Sequence, residues 1–238
     1  MQLKRYKKDA DYSYSFGVFP TLELFAHRPE RLLRVVAHSK GDISSGIGKI
    51  EELCGQHHVP FEVNDRTVEK LSHKGNVYVF AVFEKYFSSL SAERNHLMLV
   101  HPADMGNLGT TMRTMLGFGL RDLALVSPAA DIFHPHAVRA SMGAVFALNA
   151  AYWQDVEDYR QVFAHRLYPF MLDADRKLPD AVFEPPFTLV FGPEGPGLDS
   201  RFRSLGPSVV IPQGPLVESL NLSVAIGIAL YEATRGKV

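Results

Sequence analysis

Residues 97–119 read LMLVHPADMGNLGTTMRTMLGFG. The run LMLVHP is short, apolar and closed by proline, as expected of a strand buried on both faces. ADMGNLG reads as a glycine-bearing turn, and TTMRTMLGFG has the apolar spacing of a helix near 3.6 residues per turn. The same strand-loop-helix pattern continues downstream. DLALVS (122–127) is predicted as a strand, AVRASMGAVFAL (137–148) as a helix, FTLVFG (187–192) and SVVIP (208–212) as strands, and NLSVAIGIALYEA (221–233) as a terminal helix. Short apolar strands alternating with helices predict an α/β fold with a largely parallel sheet, whose ligand sites lie in loops beyond the strand C-termini. Three loops qualify: Met105 to Thr111, Gly192 to Leu198, and Pro212 to Ser219.

Upstream, residues 18–82 alternate a helix near Thr21 to Ala26, LLRVVAHS, GIGKIEELCGQH, VPFEVN, TVEKLSH and NVYVFAVF, a pattern that ends near Phe87. This pattern predicts a separate small α/β domain. SSLSAERN (88–95) is polar and lacks apolar periodicity, as a linker does. The expected organisation is a domain over residues 1–90, a linker over 91–96 and a second domain over 97–238. A length of 238 residues suits one or two domains. With 46% hydrophobic and 21% charged residues, the composition is that of an ordinary globular protein. The apolar stretch Leu220 to Tyr231 falls short of the roughly 20 residues of a membrane span. The opening residues lack the apolar core of a secretory signal, so cytoplasm is the expected compartment. The single cysteine, Cys54, excludes an internal disulfide and is expected in the core. No histidine pattern predicts a metal site.

The formal charge of −1 provides no global attraction for nucleic acid. Two local clusters do carry such chemistry: Lys4, Arg5, Lys7 and Lys8 among Tyr6, Tyr12 and Tyr14, then Arg28, Arg31, Arg34, His38 and Lys40. Basic groups beside aromatics suit phosphate contact and base stacking.

Each of the three loops has its own chemistry. LVFGPEGPGL (189–198) is not the dinucleotide fingerprint, since its glycine spacing is wrong and its prolines withhold backbone donors. Its glycines would let the backbone lie flat against an uncharged planar ligand. In MGNLGTTMRT, Arg113 is expected on the first turns of a helix, where the macrodipole disfavours a cation, so something else should want its charge. In the terminal segment, Ser219 is expected as the helix N-cap. Asn221 and Ser223 then gain nothing from capping, and an unpaired buried polar group costs roughly 1–3 kcal/mol, which suggests that they line a site. Ser223 could instead bond back within the helix.

Taken together and in this order, the loops resemble those of the TrmH (SpoU) family of SPOUT RNA methyltransferases, with the layout of its RlmB-like ribosomal RNA ribose methyltransferases. The motif N-x-G-x-x-x-R-T appears as Asn107 to Thr114, the second motif as LVFGPEGPGL, and the third as Ile211-Pro212 with Ser219 to Ala225. Ser141-Met142-Gly143-Ala144 also fits. The resemblance implies transfer of a methyl group from S-adenosylmethionine to an RNA ribose 2′-hydroxyl, on ribosomal RNA or tRNA. It also implies a C-terminal trefoil knot and a homodimer with the cofactor site near its interface. Asn107, Arg113, Glu194, Ser219 and Asn221 match the catalytic positions, and Gly192, Ile211 and Leu220 match the cofactor loops. The first 90 residues match a ribosomal-protein-like RNA-binding domain. Two positions depart from the pattern: Met105 stands where proline is usual, and Gly75-Asn76-Val77 where His-Gln-Gly is. The rival readings are an inactive RNA-binding or assembly protein of the same fold, and a nucleotide-dependent oxidoreductase, which would lack its glycine fingerprint.

Overall fold

The computed structural model describes residues 3–42, 46–72 and 76–236. It divides into two compact units, residues 1–86 with 131–147, and residues 87–130 with 148–238.

The first unit holds β1 (Tyr12–Phe16), α1 (Val18–His27), β2 (Leu32–Ala37), α2 (Ile47–Gln56), β3 (Phe61–Val63), α3 (Asp65–Leu71) and β4 (Val79–Glu84). Its sheet runs β1-β4-β2-β3, with β4 antiparallel to both neighbours and β3 parallel to β2. Tyr14, Val36, Phe80 and Val82 from the strands pack against Val68 and Leu71 of α3. Cys54 is buried, as the sequence led us to expect, and burial pushes its thiol up to about 11. Most of the expected elements fall in place. Of the expected segments, TVEKLSH ends at a residue outside the described ones, and the expectation at Gly75 lies outside them too.

The second unit holds β5 (His96–Val100), α4 (Met105–Gly117), β6 (Asp122–Val126), β7 (Asn149–Trp153), α6 (Val156–Val162), β8 (Arg166–Pro169), β9 (Arg176–Lys177), β10 (Phe187–Phe191), β11 (Val209–Val210) and α7 (Leu222–Thr234). Five strands form a wholly parallel sheet in the order β7-β6-β5-β10-β8, and β9 pairs with β11. Every residue of β5, β6 and β10 is buried, which explains their continuous apolar runs. Met98, Val100, Ala124, Val126 and Val190 pack against Val156, Tyr159 and Phe163. Helices α4 and α7 lie together, and a Cβ added at Gly227 would meet the Thr114 methyl at 3.7 Å. Among the described residues no helix is long and apolar enough to cross a membrane.

Several expectations need correcting. The helix predicted over 137–148 is broken: α5 (Pro135–Ala140) ends in a turn at Met142 and Gly143, both with positive φ (53° and 86°), followed by a 3-10 turn over Ala144–Ala147. At Gly143 a Cβ would fall 2.6 Å from the Glu23 Cβ, so only glycine fits this close approach. The whole stretch Asp131–Ala147, which the sequence places in the second domain, groups with the first unit. Of the aromatic residues near the N-terminus, Tyr14 is not free for base stacking either, because it is 1% exposed and its hydroxyl donates to the Lys4 carbonyl.

Residues 91–96, expected as a linker, are fastened to the second unit at the start of its sheet, and His96 already belongs to β5. The Ser91 amide donates to the buried Asp122 at 3.0 Å, and Arg94 reaches the same carboxylate. The Asn95 side chain accepts from the Phe187 amide at 3.1 Å. His96 Nε2 donates to the Ser91 carbonyl at 2.8 Å, and His165 Nε2 to that of Ala92 at 2.9 Å. Tyr159 Oη donates to His96 Nδ1 at 2.7 Å. Short polar residues suit this segment because buried polar side chains need partners.

Burial pushes the fully buried His96 down to about 4, against the opposing hydrogen bond to Ser91. The unfolded chain takes up that proton near pH 6.5, the ordinary histidine value. This contribution to stability is therefore unchanged above about pH 6.5 and is lost progressively as pH falls to about 4, by roughly 3 kcal/mol in all. His96→Gln keeps a donor for Ser91 and removes the titration. Urea unfolding across this window should show a shallower acid loss in the variant, and equal slopes would refute the assignment.

Candidate active site

The sheet's C-terminal end carries the three motif segments identified in the sequence, although the first of them, Met105 to Thr111, is the start of α4 and not a loop. Beyond β10, the backbone of Gly192 lies against that of Gly197 and Leu198, and a Cβ added at Gly192 would fall 2.4 Å from both Gly197 C and Leu198 N. Gly195 and Gly197 turn this loop with φ of 102° and 70°. The result is a backbone-walled cleft of about 590 Å³, within the usual range for a small-molecule site. Asn107, Gly192, Glu194, Ile211, Ser219, Leu220 and Asn221 all line it. Phe170 and Phe191 stack with centroids 4.4 Å apart and 11° between their planes, making an apolar wall.

The polar groups are joined in one chain. Helix α7 starts at Leu222, so its N-cap is Asn221 and not Ser219. Asn221 Oδ1 accepts from the Ser223 amide at 2.9 Å and the Val224 amide at 3.4 Å, and from Ser223 Oγ at 2.7 Å. Capping therefore explains Asn221 and Ser223, and it leaves Ser219 in the preceding loop as a lining residue. With its oxygen turned to the helix, Asn221 presents Nδ2 to Asn107 Oδ1 at 3.0 Å. Asn107 must then use Nδ2 outward, and it donates to Glu194 Oε1 at 3.1 Å. The loop before α7 is closed by Gln213 Nε2 donating to the Glu218 carbonyl at 3.2 Å.

Helix α4 begins earlier than the glycines of its first turn suggested. Asp104 is its N-cap, accepting from the Asn107 amide at 2.6 Å, and Met105 takes the first helical position, where proline is favoured. Arg113 is thus in the third turn, well past the positive end of the helix dipole. Six residues of helix turn Arg113 about 120° from Asn107 and carry it about 9 Å along the axis. Arg113 is exposed and, alone among the eight residues singled out in the sequence, does not line the cleft. Sequence reading missed Phe170 and Phe191, which look like ordinary strand residues until their rings are seen stacked beside the glycine loop.

The parallel sheet thus carries a glycine-built cleft and an amide relay at the C-terminal ends of its strands. The profile described as the SpoU rRNA Methylase family matches residues 94–231, and the chain belongs to that family. It is 34% identical over 143 residues to an uncharacterized tRNA/rRNA methyltransferase of Synechocystis sp., covering 58% of this chain and 52% of that protein. It is 27% identical over 247 aligned positions to the 23S rRNA (guanosine-2′-O-)-methyltransferase RlmB of Acinetobacter baylyi, covering 94% and 98%. The chain spans about half the length of several curated relatives it matches. Among solved structures, the AdoMet-bound rRNA methyltransferase of Sinorhizobium meliloti superposes with a TM-score of 0.82 at 25% identity, covering 96% of this chain and 88% of that one.

The cap and the relay are separable by mutation. Asn221→Ala should lower unfolding stability by about 1 kcal/mol, whereas Asn221→Asp, an equally good cap, should stay within a few tenths. Gly192→Ala should cost about 1–3 kcal/mol, because the added methyl meets backbone that cannot yield without opening the loop. Denaturant titration of the three variants checks both statements.

Proposed function

We propose that this protein is an S-adenosylmethionine-dependent RNA ribose 2′-O-methyltransferase acting on ribosomal RNA or tRNA, and that it works as a homodimer. The observation that carries the reading is the convergence of Asn107 from the first turn of α4, Glu194 from the loop after β10 and Asn221 at the N-cap of α7 on one glycine-walled cleft in a chain of the SpoU family. The cleft fits the cofactor: Gly192, Ile211 and Leu220 offer backbone and apolar surface for an adenosine, and Glu194 is a carboxylate at the wall for a cationic neighbour. S-adenosylmethionine supplies a methyl group made electrophilic by its sulfonium. The protein's part is to align the ribose hydroxyl with that group and to stabilise the alkoxide as its proton leaves. Ser219, Asn107 and Asn221 shape the ribose pocket, with Glu194 held in place by Asn107.

Arg113 stabilises the developing alkoxide and pins a phosphate, since a guanidinium stays charged at any working pH. Its place on the outer side of α4 supports a role in the cleft of the second subunit. On neighbouring α7, Val224, Ile228 and Tyr231 form an exposed apolar stripe at helical spacing, 51%, 39% and 59% exposed. Tyr231 also meets Phe118, which follows α4, at 6.4 Å. Such a stripe suits burial against a second copy. The first unit is the RNA-binding domain, and the second carries the trefoil knot that the SpoU family implies. A single buried thiol is in keeping with the reducing cytoplasm.

Radiolabelled methyl transfer from S-adenosylmethionine to total RNA fractions, followed by mapping of the label, tests the activity. Label on ribose 2′-oxygens is expected. Label on a base overturns the reaction, and no label in any fraction leaves the inactive RNA-binding reading in its place. Mixing Arg113→Ala with Asn221→Asp subunits tests the arginine. Each variant alone should turn over at least about tenfold more slowly than wild type. An equal mixture should recover about a quarter of wild-type activity if Arg113 serves the partner's cleft, as half the dimers then hold one intact site. No recovery would place Arg113 in its own subunit's site.

A further inference from the structure

The four cations near the N-terminus lie on a segment with a repeating pattern, Leu3-Lys4-Arg5-Tyr6-Lys7-Lys8. Leu3 and Tyr6 pack against the core of the first unit, while Lys4, Arg5, Lys7 and Lys8 are exposed. Among the described residues, Lys4, Arg5 and Lys7 have no carboxylate within ion-pairing distance.

The arm is not held by its charges but by a clamp beneath it. Lys85 follows β4, and its ammonium group donates to Asp131 Oδ2 at 2.8 Å, Tyr6 Oη at 2.9 Å and the Lys8 carbonyl at 2.9 Å. All three of its protons are thereby placed. Tyr6 Oη in turn donates to Asp131 Oδ2, and its ring meets His134 edge-on at 4.9 Å. Tyr14 Oη holds the Lys4 carbonyl. The Lys85 and Asp131 side chains are only 16% and 12% exposed, so this ion pair is screened little by solvent. Asp9 and Asp11 come after the cations, where the Ala10 amide turns back to the Lys7 carbonyl and the Lys85 amide binds the Asp11 carbonyl.

A flexible basic tail would pay an ordering cost on binding, and this one is already ordered. We propose that the N-terminal arm is a preorganised contact for the RNA phosphate backbone. Lys4, Arg5 and Lys7 are the contacting groups, and the Tyr6-Lys85-Asp131 clamp is the positioning device. Tyr6 and Tyr14 hold the arm through their hydroxyls and do not stack on bases. Contact of this kind is independent of base sequence and provides affinity in a chain whose net charge provides none. The inference rests on the reading of RNA as substrate.

Binding of the full-length protein to polyuridylate, measured across a series of salt concentrations, tests it. In a variant carrying Lys4→Gln, Arg5→Gln and Lys7→Gln, the slope of log affinity against log salt should become shallower by about 2 to 3, at roughly 0.7–0.9 for each phosphate no longer neutralised. Cofactor binding and the thermal midpoint should be unchanged, since these side chains are exposed. Tyr6→Phe keeps every charge and loosens the clamp. It should weaken binding about threefold to tenfold with little change of slope, because only ordering is affected. An unchanged slope in the triple variant overturns the contact, and unchanged affinity in Tyr6→Phe overturns the clamp. If the wild-type protein neither binds polyuridylate nor labels any RNA fraction, the RNA reading fails together with this proposal. RNA labelling with normal turnover and an unaltered slope would sink the arm alone.

Discussion

The free amides at the start of α7 decide which way the Asn221 side chain faces. A helix begins with backbone donors that have no partner of their own, and here one carboxamide oxygen satisfies two of them. Once that oxygen is committed, the amide nitrogen can only be offered to Asn107, and Asn107 can only pass its own nitrogen to Glu194. The polarity of three side chains distant in sequence is thus set by one helix terminus. The strong packing of α7 against α4 brings the two asparagines within reach of each other, and the apolar sequence of α7 is what makes that packing possible.

Much of this was legible in the chain. Continuous apolar runs such as DLALV and FTLVF are recognisable as strands buried on both faces, and three motif-bearing loops in sequence order point to one end of a parallel sheet. What escaped was position along a helix. Ser219 and Asn221 are both good caps, and only the actual start of α7 chooses between them. Asp104 likewise moved the start of α4 ahead of its glycines, so that Arg113, expected on the first turns, stands in the third and does not line the cleft. Local chemistry permits several starts, and tertiary packing selects one.

The remaining gaps were of a different kind. The segment Ser91 to Asn95 looks like a linker because it is small and polar, yet the same qualities fit it to satisfy Asp122, His96 and His165. Tyr6 and Tyr14 look like base-stacking residues from their basic neighbours, and their hydroxyls turn out to be occupied holding backbone and a buried carboxylate. In both cases composition gave the right chemical character but not the partner. Partners distant in sequence, such as Tyr6 with Asp131 or Ala92 with His165, leave no local trace.

The grouping of Asp131–Ala147 with the first unit has a consequence for the order in which the protein can be made. A chain leaves the ribosome from its N-terminus, and domains generally fold as units as they emerge. Here the first unit is incomplete at Tyr86, because the Ser13 hydroxyl waits for the Phe133 carbonyl and Lys85 for the carboxylate of Asp131. β5, α4 and β6 of the second unit are synthesised before that missing piece. The N-terminal half therefore cannot finish folding first, and the two halves mature in overlapping time, with the early sheet carrying an unfilled edge of its core until residue 147 has emerged.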